Sequence, residues 1–407
     1  MTKQFDIIIS GGGLSGALMA LSLIDCKNEK GQPLSIGIVE ANPVLNDPSL
    51  NFDDRVLALS HGTATYLNSL GLWQQLKKVA EPIKNIHISD RGFYGKARLY
   101  ADNHQVNALG FVVEMSLLGQ ALLVCLKEKN KLIGNLTWFT PDKISDITWQ
   151  EKHVEITLNS ETKLNAKLLL ACDGVHSACR KFANISVQES DYEQSALIAN
   201  VCTAIPHDNL AFERFTETGP IAMLPLSKQS SATNDSRCSL VWTLPPEQAN
   251  KMQALSDKQF QTELECAFGG WLGAITHVGK RDVFPLKLLM ADEQVYHRMA
   301  LIGNASHTIH PIAGQGFNLG VRDVNQMAEL IKTSLNNNQD IGQFSALTKY
   351  ASQRKLDHQQ VIGLTDSLVT LFSNKLPPLV VGRNLGLKVM NYLSPLKNAL
   401  VRKTMGY

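Results

Sequence analysis

The chain has 407 residues, enough for two or three domains at roughly 100–200 residues each. Hydrophobic residues make up 44% and charged residues 19%, which excludes a disordered or membrane-spanning chain, and a net charge of +2 offers no basic surface for nucleic acid. The seven cysteines, Cys26, Cys125, Cys172, Cys179, Cys202, Cys238 and Cys266, are odd in number and form no C-x-x-C pair. That pattern fits neither a zinc site nor a disulfide framework and predicts a reducing, cytoplasmic setting.

Residues Phe5–Ser10 form an apolar run that breaks at glycines rather than at a cleavage site, so a strand is expected and a signal peptide is not. No apolar stretch is long enough to span a bilayer. A helix over Leu14–Cys26 and a second strand over Leu34–Glu40 complete a βαβ unit. Between strand and helix lie Gly11, Gly13 and Gly16 in G-x-G-x-x-G spacing. The first glycine suits a tight turn, the second lets backbone approach a pyrophosphate, and the third lets helix and strand pack closely, with phosphate facing the helix N-terminus. Glu40, at the end of the second strand, is placed to accept hydrogen bonds from an adenosine ribose and to repel a 2′-phosphate. The unit predicts a dinucleotide site without choosing between FAD and NAD.

Further along, the strand-like Leu168–Ala171 ends in Cys172-Asp173-Gly174, followed by Arg180; alone, Asp173-Gly174 is equally well a simple turn. Short apolar runs between Ser195 and Leu288 predict an antiparallel sheet, with the polar Lys228–Arg237 as a hairpin tip. Met299–Gly303 reads as another strand, followed by Asn304 and then the string His310–Asp323. From Val321 onward apolar residues recur at helical spacing, so a second glycine-rich loop opens a second helix. The free N–H groups at its start suit a developing negative charge such as that on a reduced flavin, for which an NAD enzyme has no need. His310 and His307 stand without a Cys or Glu at metal spacing, so no metal site is expected. Ser15 lies in no G-x-S-x-G elbow, which argues against a serine hydrolase.

Taken together, these three glycine-containing elements resemble the class A flavoprotein monooxygenases, the para-hydroxybenzoate hydroxylase-like group, and the His310–Asp323 string is similar to the signature of the ubiquinone-biosynthesis hydroxylases. The likeness extends to Asp90-Arg91-Gly92, Phe212-Glu213-Arg214-Phe215 and Gly219–Leu224. It implies that Gly11, Gly13, Gly16 and Glu40 hold the adenosine half of FAD. Arg55 falls near the pyrophosphate, with a surface ion pair to Asp53 or Asp54 as the alternative. Asp173 and Arg180 fall on the motif that touches FAD and the nicotinamide cofactor, with a plain helix-face charge as the alternative for Arg180. Asn304 stands where most of the group has Asp, retaining an acceptor for the ribityl chain but no charge. Gly316 and the backbone N–H groups of Phe317 and Asn318 fall at the flavin carbonyl, and Pro311 faces the aromatic substrate. No catalytic acid or base is assigned.

The implied fold is α/β: a Rossmann-like FAD-binding domain with an inserted, mainly antiparallel β-sheet substrate domain and a helical C-terminal tail. The expected boundaries are 1–190 and 289–345 for the FAD domain, 191–288 for the substrate domain and 346–407 for the tail. The implied chemistry is reduction of FAD by NADPH or NADH, capture of O2 as a flavin C4a-hydroperoxide, and hydroxylation of a polyprenylated phenol. The alternatives are a related FAD-dependent prenyl reductase and a non-catalytic FAD-binding subunit. A ubiquinone-biosynthesis protein complex is a further expected partner. After Asp366 no acidic residue occurs, while Lys375, Arg383, Lys388, Lys397, Arg402 and Lys403 are basic and interleaved with apolar residues. This pattern suits a helix lying on the inner face of a membrane as a peripheral anchor, or equally a helical pair packed on the FAD domain with its cations solvated.

Overall fold

The structure is a computed structural model that describes residues 2–43, 55–227, 236–373, 376–392, 401 and 405–406. Asp53, Asp54 and most of the expected hairpin tip therefore lie outside the described residues, as do Lys375, Lys397, Arg402 and Lys403.

The first sheet has eight strands. Lys3–Ser10 pairs in parallel with Ile36–Val39 on one side and with Lys163–Ala171 on the other, and Leu136–Phe139 and Met299–Leu301 extend the parallel set outward. Ile7, Ile8 and Ile9 are all fully buried, as a continuous apolar run must be when both faces of a parallel sheet are covered. Helices Leu14–Leu23, Met115–Ile133 and Gln315–Asn336 cover one face; the other packs on the hairpin Ile144–Trp149 and Val154–Leu158. The predicted βαβ unit is present, its helix ending at Leu23 rather than Cys26.

The second sheet has nine strands and is antiparallel except where Leu210–Phe215 runs parallel to Asn85–Asp90. Its strands from the middle of the chain span Val187–Thr203 to Asp282–Ala291, slightly beyond the predicted Ser195–Leu288. It also recruits Asn85–Asp90 and Lys96–Tyr100 from the first third of the chain, and His307–Thr308 pairs at its far edge. The backbone of His307 is claimed by the ladder of Asp282–Ala291.

The tail forms helices Phe344–Ser373 and Pro377–Tyr392. The expectation of a row of free cations fails at Arg383, which is 7% exposed and donates from Nε to Asp90 Oδ2 at 2.8 Å and from Nη1 to the carbonyls of Leu371 and Phe372. Asn384 joins the same carboxylate and accepts from the backbone N–H of Gly95. Phe215 and Phe372 stack at 3.7 Å between centroids, so helix and sheet are joined by apolar contact as well as by charge. No helix among the described residues is long and apolar enough to cross a membrane.

Candidate functional site

Between the two sheets lies a cavity of about 1860 Å3. Single-ligand pockets are usually roughly 300–1,000 Å3, so this one has room for a dinucleotide and a second molecule together. Gly13, Gly316, Glu40, Arg55, Asn304, Pro311, Phe317 and Asn318 all line it.

At the N-terminal loop, Gly11 has a φ of +94°, and a Cβ on Gly16 would sit 1.9 Å from the Gly11 carbonyl oxygen. No side chain fits there, which is the close strand–helix packing that the spacing predicts. A Cβ on Gly13, by contrast, would meet nothing within 4 Å. Gly13 is the N-cap of Leu14–Leu23 and lends no side-chain cap, so the first N–H groups of that helix open onto the cavity. The Glu40 carboxylate accepts from the N–H of Gly12 at 2.7 Å and of Asn42 at 2.8 Å, which fixes it across the loop. Arg55 is exposed at the cavity wall with its guanidinium 4.9 Å from the Phe284 ring centroid.

Asp173 accepts from the N–H of Cys179 through Oδ2 at 3.1 Å, while its Oδ1 is buried without a partner. Asp173 itself lies behind the cavity wall, whose lining at this turn is Cys172, Gly174, Val175 and His176. Of the two readings of Arg180, the helix-face charge fails: the residue is 6% exposed and donates to the carbonyls of Ala305 and Val175, both at 2.8 Å. It thereby straps the Asp173-Gly174 turn to the turn that carries Asn304. The Asn304 side chain is exposed to the cavity.

That second turn is pinned from behind. Gly303 has a φ of +60°, and its N–H donates to Asp323 Oδ2 at 3.0 Å. Asp323 Oδ1 in turn accepts from Arg354 Nε at 2.6 Å and pairs with His358 Nε2 at 2.9 Å. Burial works to raise the Asp323 pKa, but His358, His307 and Arg354 prevail and hold the carboxyl far below its usual range. Sequence reading missed Arg354 and His358, which lie on a distant helix; only Asp323 was visible, as the end of the glycine-rich string. His307, Asp323 and His358 do cluster with the geometry of three metal ligands. The Arg354 cation already neutralises the carboxylate, which disfavours a second cation there. Burial pushes the His307 pKa down to about 3, with His358 adding to the effect.

The C-terminal loop opens Gln315–Asn336 behind Gly314, whose φ is +61° and which provides no side-chain cap. The Asn318 side chain is spent on scaffolding, since Oδ1 accepts from the Ser60 N–H and Nδ2 donates to the carbonyls of Ala58 and Gly314. Phe317, Asn318 and Gly316 thus present backbone at the cavity wall. His310 is 1% exposed, packs edge-on to Tyr192 at 5.1 Å and lies outside the lining. Burial pushes its pKa down to about 4.

Residues 4–365 match the FAD binding domain family. The chain belongs to that family. Its open cradle at Gly13 and two uncapped helix starts on the cavity are what a pyrophosphate-linked flavin requires. Similar proteins include ubiquinone hydroxylase UbiL of Rhodospirillum rubrum, 33% identical over 99% of this chain and 90% of that one. The human mitochondrial ubiquinone biosynthesis monooxygenase COQ6 is 31% identical over 98% of this chain and 92% of its own length. Among solved structures, p-nitrophenol 4-monooxygenase PnpA of Pseudomonas putida superposes with a TM-score of 0.77 over 100% of this chain and 99% of its own, at 16% identity, and so shares the fold.

Proposed function

We propose that this FAD-binding protein is a monooxygenase of ubiquinone biosynthesis that hydroxylates 2-polyprenyl-6-methoxyphenol to 2-polyprenyl-6-methoxy-1,4-benzoquinol, with NADPH or NADH as reductant and O2 as co-substrate. The observation that carries this reading is the shape of the cavity, in which polar backbone loops form one end and an apolar sheet face forms the other. A dinucleotide fills only the first. The hydroxylase names of relatives matched over nearly their full length support the reaction class.

Bound flavin supplies the redox chemistry, and the chain supplies position, charge placement and dryness. Gly13 and the start of Leu14–Leu23 hold phosphate, Glu40 the adenosine ribose, and Arg55 the pyrophosphate flank. Asn304 holds the polar chain between. The N–H groups of Phe317 and Asn318 stabilise negative charge at the flavin carbonyl edge, and Pro311 borders the ring of the substrate. Purified protein should consume NAD(P)H only when both O2 and the phenol are present, and product formed under 18O2 should carry one labelled oxygen. Phenol-dependent turnover without label would point to the prenyl reductase instead, and bound flavin without any turnover to a non-catalytic subunit.

The substrate's tail requires access from lipid. Leu376, Leu379, Val381 and Leu385 are exposed along the last helix, beside exposed Phe93 and Tyr94, and Leu379, Gly382 and Gly386 also line the cavity. We infer that this rim rests on the inner face of the membrane as a peripheral contact, with the exposed Lys388 on the same helix, and that a ubiquinone-biosynthesis protein complex is its setting in the cell. Val381→Glu with Leu385→Glu should abolish co-sedimentation with anionic vesicles while flavin content stays intact; unchanged sedimentation rules the contact out.

A further inference from the structure

The sheet face that closes the substrate end of the cavity is apolar along its central strands. Ile88, Ala211, Phe215, Ala222, Leu224 and Val241 contribute to it. Into the central part of this face projects the Glu213 carboxylate; Glu189, on another strand of the same sheet, also lines the cavity but is paired with Lys287. Glu213 lies in Leu210–Phe215, its neighbours across the ladders being Ile88 and Ala222, neither able to donate a hydrogen bond from its side chain. It is half-buried at the cavity wall and has no hydrogen-bond or ion-pair partner among the described residues, although an unpaired carboxylate in an apolar wall is costly and replaceable by an apolar residue. Phe215, two residues on and therefore on the same face, packs in one cluster with Ile312, the neighbour of Pro311. Glu213 thus opens into the chamber that the flavin-side loop borders.

We propose that Glu213 is the catalytic residue that takes the proton from the phenol hydroxyl as oxygen is transferred to the ring. This deepens the hydroxylase reading and rests on it. As the ring carbon para to the hydroxyl forms its bond to the outer oxygen atom of flavin-activated O2, the O–O bond breaks and its electron pair leaves with the inner oxygen; the phenol O–H bond breaks at the same time, a C=O forms to give a dienone, and the proton passes to the Glu213 carboxylate. The hydrogen on the new C–O carbon leaves as a proton, its bonding pair restoring the aromatic ring, Glu213 returns its proton to the carbonyl oxygen, and the inner oxygen takes up protons and departs as water. The oxidising equivalent is that of the monooxygenase reaction; Glu213 gains and loses only a proton.

The surroundings leave Glu213 as the group that titrates here. Burial pushes its pKa up to about 7, with no charged neighbour contributing. Arg214, His87, Lys96 and Arg98 gather on the opposite side of the sheet, where Arg214 donates to the Ala267 carbonyl and His87 and Lys96 pack on Trp271. From the last helix, Arg383 is already paired with Asp90. From Phe344–Ser373, Asp366 accepts from the Tyr192 hydroxyl. From the flavin-side loop, buried His310 stays neutral, its pKa pushed down to about 4.

The test uses flavin-loaded protein and 2-methoxy-6-prenylphenol. General-base assistance is typically worth about 100- to 10,000-fold, so Glu213→Gln is expected to lower kcat at least about 100-fold with KM little changed, and NAD(P)H oxidation should be diverted to hydrogen peroxide. In the wild type kcat/KM should rise with pH through an ionisation near 7, because the ionised form is the base; the variant should lose that limb. Sign and window also give a control. The carboxyl pKa is raised by folding from 4.5 to about 7, so its charge destabilises the native state increasingly from pH 4.5 to 7, and Glu213→Gln should be no less stable than wild type at pH 8. A kcat within threefold of wild type and an unchanged pH limb would overturn the assignment. Should the variant fail to hold flavin, the oxidised wild type decides the matter. Judged by flavin absorbance changes, it should bind the phenol more tightly than its methyl ether at pH 8 and lose that preference by pH 6; equal binding of the two at pH 8 overturns the proposal. That binding preference in a wild type that fails to hydroxylate the phenol would sink the hydroxylase reading and leave Glu213 as the acceptor of a bound phenol's hydrogen bond.

Discussion

The two ends of the cavity are built in opposite ways. At the cofactor end the wall is largely backbone, made from glycine turns, uncapped helix starts and side chains such as Asn318 that turn away to hold the loops in place. At the substrate end the wall is side chain on a sheet, and its shape is set by which residues alternate inward. A cofactor that never changes is met by geometry that tolerates no substitution, whereas a substrate chamber is adjustable one side chain at a time.

The sharpest break in this contrast is Arg383, a side chain that secures the substrate end. Removing one partner of a buried pair leaves an uncompensated charge, so Arg383→Ala should cost about 3–5 kcal/mol by urea unfolding. Asp90→Asn in addition should return part of the loss, and a single variant within 1 kcal/mol of wild type on the order of experimental scatter would mean the pair is not closed in solution. Next come two glycines three residues apart. Gly16→Ala must displace the Gly11 carbonyl and should cost about 1–3 kcal/mol of stability together with the flavin. Gly13→Ala, at an ordinary φ of −66° and in open space, should leave the apoprotein's melting temperature unchanged but weaken FAD binding roughly tenfold, about 1.4 kcal/mol. Equal flavin affinity in Gly13→Ala and wild type would show that the cradle is not in contact with the cofactor. The smallest effect is at Asn304, where Asn304→Asp should keep flavin affinity and Asn304→Leu should lose about 1 kcal/mol in a flavin titration. Identical affinity in all three forms would remove Asn304 from the site.

Legibility in the sequence followed the same divide. The βαβ unit, the strand before Asp173 and the helix after Gly314 could be read because glycine spacing and apolar runs are local signals of local structure. The assembly of the second sheet could not. Asn85–Asp90 joins strands more than a hundred residues away, and nothing in its own pattern names Leu210–Phe215 as the neighbour. Glu213 was visible only as part of a recurring string, since its significance depends on an apolar face contributed by several strands. Arg383 was misread for the same reason: its partner Asp90 lies 293 positions earlier. Arg180 looked like a surface charge because the carbonyl of Ala305 that it caps lies 125 positions later.

The Asn318 side chain, bonded to Ser60 and Ala58 across some 260 positions, also sets an order of events during synthesis. The glycine loop at Gly11–Gly16 leaves the ribosome early, but the wall opposite it belongs to residues made some 300 positions later. At roughly 5–20 residues per second, about 15 to 60 seconds separate the two. Through that interval the nascent chain carries half a nucleotide cleft with the outer parallel strand Met299–Leu301 not yet added. Both halves of the cleft are therefore present to meet the flavin only after three quarters of the chain has been made.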